Sequence, residues 1–232
     1  MSDWISFYDF KHSVIYVNAR HRDVHYRTIA TDIRAYVPRH SANVLDYGCG
    51  EATSADLVAA ASSHLSLVEA APNVRAALKA RYEDNPKISV LTPDEAAARP
   101  DGSFDVIVMH SVAQYLSEAE FERLLKVFHA LVKPDGLVIV GDIVPAQFAA
   151  PYAALALLRF AIANGFFLAA VGGLMRIFVS DYLRLKKTHG LSHYTETAML
   201  ERLRAAGYSA TRAPRNIGHN QWRMTFLARP TT

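Results

Sequence analysis

Three sets of residues stand at spacings that suggest chemistry. The first is a turn, Asp46-Tyr47-Gly48-Cys49-Gly50-Glu51, in which an acid precedes two glycines set one residue apart. Glycine belongs where the chain takes an unusual φ or where a ligand lies directly on the backbone. The second is Glu69, 19 residues beyond Gly50. A carboxylate at the end of the next strand is placed to accept both hydroxyls of a ribose. The third is histidine, of which the chain has 10. Imidazole titrates near neutrality and suits proton transfer. His110, His193 and His219 are the candidates for a catalytic base. His110 ends a strand, His219 lies in a loop at the same end, and His193 lies where an insert rejoins the core.

The charges around the turn choose among nucleotide ligands. A pyrophosphate wants helix N-terminal amides and a basic residue. Here Asp46 stands before the glycines and Glu51 after them. The dinucleotide pattern Gly-x-Gly-x-x-Gly puts glycine or alanine at position 53, where this chain has Thr53. A nicotinamide-dependent oxidoreductase is therefore disfavoured. An acid two residues before the first glycine can instead attract an ammonium, directly or through water.

These residues need a scaffold that brings them together. Val44–Tyr47 reads as a first strand and Ala52–Ser62 as the helix after the turn. His64–Val68 reads as a second strand, and Pro72 opens a helix running to about Tyr82. Lys87–Leu91 is a third strand, stopped by Thr92-Pro93-Asp94. Phe104–Met109 is a nearly continuous apolar run, suited to a central parallel strand. Ser117 and Glu120 form a capping box for a long helix with Phe121, Leu124, Leu125, Phe128 and Leu131 on one face. Lys133–Gly136 ends that helix, and Leu137–Val140 is a fifth strand. Thr195 caps a later helix ended by Gly207, and Tyr208–Ala213 and Trp222–Ala228 close the fold. Alternating strands and helices argue for a Rossmann-like α/β domain of seven strands, mostly parallel, with helices on both faces. Ligands of such sheets bind beyond the carboxyl ends of the strands. Gly48–Gly50, Glu69 with Ala70, Thr92–Asp94 and His110–Ser111 all sit at such ends.

Length and composition set the limits. At 232 residues, 51% apolar or aromatic, the chain fits one domain with a full core. Its one cysteine, Cys49, forbids an internal disulfide and suits a reducing cytoplasm. Cys49 reads as a packing residue in the turn. No metal site is expected. No signal peptide is read at Met1-Ser-Asp-Trp. A net charge of +3 without a clustered basic face gives little reason to expect nucleic acid.

Two stretches fall outside the alternation. Residues 1–43 are aromatic, with a helix from about Arg22 to Val37. They read as an N-terminal helix packed on the domain edge, or as a helical flap over the ligand with Tyr16 or Arg20 touching it. Residues 143–190 are an apolar insert after the fifth strand. Within it Phe160–Met175 is uncharged for 16 residues, short of the ~20 that a membrane span needs. The insert reads as a pair of buried lid helices, or as a dimer-forming or membrane-surface hairpin. In the latter case Arg159, Arg176, Arg184, Lys186 and Lys187 would meet anionic headgroups.

Val44-Leu-Asp46-Tyr-Gly48-Cys-Gly50 resembles the first motif of class I S-adenosylmethionine-dependent methyltransferases. The resemblance runs on through Glu69, Phe104–Leu116 and Leu131–Gly136, and resumes at Tyr194 through Tyr208. It implies S-adenosylmethionine as cofactor, held by Asp46, Gly48, Cys49 and Gly50 around the methionine moiety and by Glu69 on the ribose. It places Thr92, Pro93 and Asp94 beside the adenine and makes the last strand, Trp222–Ala228, antiparallel. Ala52 stands where the family often has a third glycine. Methyltransferases acting on base or glutamine amino groups often carry Asn/Asp-Pro-Pro-Tyr/Phe after the fourth strand. This chain has Met109-His-Ser-Val112 instead, which points to a small-molecule acceptor rather than nucleic acid, and the composition of the 143–190 insert favours a hydrophobic one.

Overall fold

Burial on both faces turns the apolar runs into a parallel sheet. The computed structural model of the protein describes residues 5, 6, 9, 16–147, 150–177 and 192–231. Strands β1 (Asn43–Tyr47), β2 (His64–Val68), β3 (Ile88–Leu91), β4 (Phe104–His110), β5 (Val132–Ile143), β6 (Tyr208–Arg212) and β7 (Met224–Pro230) form one sheet in the order β3-β2-β1-β4-β5-β7-β6. β1 pairs parallel with β2 and β4, β2 with β3, and β4 with β5. β7 lies antiparallel to both β5 and β6. Every residue of β4 except His110 is buried. Such side chains contribute ~1.5–3 kcal/mol each when fully buried.

Helices cover both faces. Leu45, Ile107, Met109 and Val138 face α5 (Glu118–Leu131), through Phe121, Leu125 and Phe128, and α8 (Glu196–Ala205), through Met199 and Leu203. Val44, Leu67, Val106 and Val108 face α1 (Ala19–Arg34), α2 (Asp56–Ala61) and α3 (Pro72–Arg81), through Ile29, Ile33, Val58 and Leu78. The seven strands, the antiparallel last strand and the two helical layers match the fold expected from sequence.

Several boundaries differ, each for a local reason. α1 begins at Ala19 because the Asn18 side chain accepts the His21 N–H as its cap. α2 starts at Asp56, later than Ala52, because the turn runs on through Ala52 at a φ of +37°. Thr92 does more than stop β3. Its hydroxyl and the Glu95 carboxylate form a capping box opening a short helix, α4 (Pro93–Ala97). β5 begins at Val132, before the expected Leu137, with a register shift against β4 between Phe104 and Val106.

The described part of the insert forms two helices, α6 (Ala150–Asn164) and α7 (Phe167–Ile177), turned by Gly165 at a φ of +72°. Ala161, Phe166 and Ala170 make a small core between them. The hairpin rests on α1: Arg20 Nε donates to the Asn164 carbonyl, and His21 stacks on Phe166 at 5.1 Å. Its remaining face carries Ile162, Leu168 and Met175, which are 66%, 85% and 70% exposed. Among the described residues no helix is long and apolar enough to cross a membrane. Residues 178–190 of the insert, with Arg184, Lys186 and Lys187, lie outside the described residues, as does most of 1–15.

Candidate functional site

The site begins where β1 ends. The Gly48 and Cys49 amides both donate to the Val68 carbonyl, at 2.8 and 3.2 Å, which folds the chain back over β2. Gly48 and Gly50 have φ of +72° and +60°. A Cβ at Gly48 would come 2.4 Å from Val112 Cγ2, and one at Gly50 would come 2.7 Å from the Tyr26 oxygen. Both glycines are therefore required by backbone conformation and by space. Ala52 also takes a positive φ, which costs an L-residue roughly 1–2 kcal/mol. The Tyr82 hydroxyl donates to its carbonyl and accepts the Ala55 N–H, fixing it there.

Two acids face this turn. Glu69 Oε2 accepts the Gly50 N–H at 3.0 Å, and Oε1 accepts the Ala71 N–H at 2.8 Å. Burial raises its pKa, and the amides of Ala71, Gly50 and Ala70 partly offset that. With three amides on its two oxygens, the carboxylate keeps lone-pair capacity for a ligand hydroxyl. The Ala70 carbonyl accepts from Arg75, as does that of Glu69. Asp46 is different. Its carboxyl has no hydrogen-bond partner among the described residues, and burial, then the neighbouring Glu69, push its pKa up to about 7. A half-buried acid of this kind is completed by a cation. Asp94 is exposed in the first turn of α4, and Thr92 is engaged as its cap. Asp94 and Glu69 both raise the Tyr47 phenol, after burial, so the three lie near one another.

α1 closes over the turn. The Tyr26 oxygen accepts the Glu51 N–H at 2.9 Å and the Tyr16 hydroxyl at 3.0 Å. Tyr16 therefore meets the glycine turn through Tyr26. Arg20 points instead to the insert, at Asn164. The Cys49 thiol is buried, and burial raises its pKa well above the ordinary value, as expected of a packing residue.

Beyond β4 and β5 lies a buried polar network. Ser111 and Asp142 both hold left-handed backbone, at φ of +60° and +61°. The Ser111 hydroxyl donates to Asp142 at 2.6 Å. Arg223 donates to Asp142 at 3.1 Å and to Gln114 at 2.9 Å. Asn216 accepts the Asp142 N–H and donates back to its carboxylate. Burial alone would raise the Asp142 carboxyl; Arg223, His110 and Ser111 outweigh it and hold it low.

Next to this network, side chains from α1, β4 and the β6–β7 loop make a histidine chamber. The His25 ring lies 5.7 Å from His219 and 6.1 Å from His21, and Tyr16 is 5.7 Å away. Phe160 stacks on His219 at 4.4 Å. His110 packs against Gly141 and Gly218. Burial lowers all four histidines, His21 and His219 to about 4. The Nδ1 atoms of His25 and His110 are buried with no hydrogen-bond partner. No three described residues are placed to hold a metal. A cleft of about 470 Å³ runs beside the chamber between α1, α6 and the β6–β7 loop, and shares His219 and Phe160 with it.

Of the three histidines singled out from sequence, His110 and His219 belong to this chamber. His193 is exposed in the segment returning from the insert, beside the Pro145–Tyr194 bridge. Sequence reasoning missed His25, Tyr26 and Asp142. His21 and His25 stand four apart, the spacing that puts two side chains on one helix face, and that signal was legible. Asp142 gave none, because its partners come from residues 111, 216 and 223.

A family model described as a methyltransferase domain matches residues 19–213. No curated protein matches the sequence. Among solved structures, the chain is similar to a Burkholderia thailandensis 1,6-didemethyltoxoflavin-N1-methyltransferase with bound 1,6-didemethyltoxoflavin and S-adenosylhomocysteine. That likeness has 18% identity and a TM-score of 0.61, and covers 99% of this chain and 86% of that one. It is also similar to a magnesium protoporphyrin IX methyltransferase from Synechocystis with bound S-adenosylmethionine, at 12% identity and TM-score 0.62, over 98% and 95% of the two chains. At these identities the likeness speaks for the fold.

Proposed function

This chain belongs to the class I methyltransferase family, with S-adenosylmethionine as its methyl donor, and from that premise we propose that it methylates a small, largely apolar acceptor. The observation that carries the reading is the pairing of a half-buried acid, Asp46, which has no hydrogen-bond partner among the described residues, with the amide-held carboxylate of Glu69 on either side of a double-glycine turn. That arrangement suits an ammonium at one end and a ribose diol at the other. The arginines at the turn, Arg22, Arg75 and Arg81, are engaged by the Glu51 carboxylate and by the carbonyls of Glu51, Glu69 and Ala70. The bound donor supplies an electrophilic methyl group on a sulfonium. The protein's part is to orient it and to hold the acceptor in line, in a site closed to water.

Small, apolar and uncharged describes the acceptor better than nucleic acid does. Tyr16, Phe160 and Phe166 pack around the histidines, and the cleft is lined by Phe160, Trp222 and Ala156 together with the charged Asp32, Arg159 and Arg215. Two solved structures similar in fold carry small-molecule names, didemethyltoxoflavin and magnesium protoporphyrin. Calorimetry with S-adenosylhomocysteine and with NAD tests the reading. Binding of the former is expected, weakened by about 1–3 kcal/mol in Glu69→Ala. Binding of NAD alone overturns it.

A second reading, with α6 and α7 resting on a lipid surface, is favoured by one observation. Every large apolar side chain that is exposed among the described residues lies between Tyr152 and Met175. The sequence from Ile143 to Ser180 has no acidic residue. A face of this kind suits an anionic headgroup layer. The acceptor would then be a lipid reached from that surface.

A further inference from the structure

The cleft beside the histidine chamber carries charges that the methyl donor does not use. Its volume, about 470 Å³, falls in the range of small-molecule sites. It lies on another side of α1 from the glycine turn. Tyr26 is the α1 residue that meets Glu51 in that turn. At about 100° per residue, Thr28 and Asp32, which line the cleft, stand about 200° and about 240° around the helix from Tyr26. The cleft shares no residue with the double-glycine turn, Asp46 or Glu69. A molecule bound there leaves the donor site clear.

Three elements wall the cleft: α1, α6 through Ala156, Arg159 and Phe160, and the β6–β7 loop through Arg215 and Trp222. The α6 residues stand at i, i+3 and i+4, on one helix face. Most polar side chains around the cleft are already satisfied. The Thr28 hydroxyl donates to the Val24 carbonyl. The Gln221 amide donates to the Asn216 and Gly218 carbonyls and accepts the Asn216 N–H. Asp32 accepts the Gly218 N–H at 2.8 Å. The two guanidiniums differ. Among the described residues neither Arg159 nor Arg215 has a hydrogen bond or an ion pair, and Arg159 lies 5.3 Å from the centroid of the Trp222 ring. Two arginines against one aspartate leave the cleft positive. His219 adds no charge near neutrality, because burial lowers its pKa to about 4. The base of Arg215 is fixed by its neighbour Asn216, whose side chain is tied to Asp142, Asn220 and Thr225.

We propose that this cleft is a second binding site, for a planar organic anion, an aromatic carboxylate being the simplest case. The carboxylate lies between Arg159 and Arg215, whose planar guanidiniums suit it through paired N–H···O bonds. The ring lies along Trp222 and Phe160. An inorganic anion would leave that aromatic wall uncovered. A neutral ring would leave both guanidiniums without a partner, and a cation would be repelled by them. One arginine comes from the hairpin and the other from the β6–β7 loop, so the bound anion links the two. By mass action it stabilises the docked hairpin.

Calorimetry on the protein saturated with S-adenosylhomocysteine, titrated separately with 2-naphthoate, 2-naphthol and inorganic phosphate, tests the site. Naphthoate is expected to bind, and naphthol and phosphate to bind roughly tenfold more weakly or worse. Arg159→Gln and Arg215→Gln are each expected to weaken naphthoate binding roughly three- to thirtyfold, between an exposed ion pair and a charge-assisted hydrogen bond. Their affinity for S-adenosylhomocysteine should not change. Hydrogen exchange in α6 is expected to slow with naphthoate and not with phosphate. Naphthoate bound no better than naphthol or phosphate, or equally well by both variants, overturns the proposal. Naphthoate that displaces S-adenosylhomocysteine overturns it too, since it would then occupy the donor site. So does wild-type protein that sediments with phosphatidylglycerol vesicles through these arginines but does not bind naphthoate.

Discussion

Asp46 has a measurable protonation chemistry. Without a cation beside it, its carboxyl titrates at about 7, against an ordinary value of 3.8. In the unfolded chain it would ionise near that lower value, so the fold binds the extra proton between the two. The stabilisation from that proton is full below pH 3.8 and is lost as pH rises through 7. An ammonium arriving at Asp46 favours the carboxylate and expels the proton. S-adenosylhomocysteine binding is therefore expected to release a proton at pH 6 and little above pH 8. Calorimetry in two buffers of different ionisation heat reads this directly, and Asp46→Asn should abolish it. Equal heats in both buffers would place the ammonium elsewhere. Asp46 and Glu69 were legible in sequence because their roles follow from spacing along two adjacent strands. Tyr26 and Asp142 were not, because their partners are distant in sequence: Glu51 for the first, Ser111, Asn216 and Arg223 for the second.

The hairpin of α6 and α7 is set by what α1 offers it. Gly173 on α7 admits Val17: a Cβ there would lie 2.2 Å from Val17 Cγ1. Arg20 ties the hairpin turn, and Phe166 stacks on His21. Gly173→Leu is expected to lift the hairpin at a cost of about 1–3 kcal/mol, the range of overpacking. Hydrogen exchange should then quicken roughly 5- to 150-fold in α6 and α7, with β1 and β4 unchanged. Unaltered protection in the hairpin would mean that it is held by other contacts. Helix starts were legible where a capping box stood alone, as at Ser117 and Glu120. The same signal at Thr92 and Glu95 was masked by Pro93, although proline is well tolerated in a helix's first turn. The late start of α2 was hidden because Ala52 adopts a conformation usually left to glycine.

Across the whole molecule, the alternation of strands and helices was enough to read the parallel sheet, and the likeness of the motifs supplied the antiparallel β7. The docking of 143–177 on α1 was beyond reach, since an apolar hairpin is compatible with a lid, a dimer or a membrane. The exposed side chains Ile162, Leu168 and Met175 give a way to test these readings. Contact with lipid predicts co-sedimentation with anionic vesicles, weakened by salt and by Leu168→Asp combined with Met175→Asp. Protein remaining in the supernatant rules that contact out. The central claim is that the double-glycine turn, Asp46 and Glu69 hold the methyl donor. A crystal structure of the complex with S-adenosylhomocysteine tests it most directly. The expected result is ribose hydroxyls on Glu69 and the amino group at Asp46. A ligand found instead in the cleft beside Trp222, with Glu69 untouched, would contradict the account.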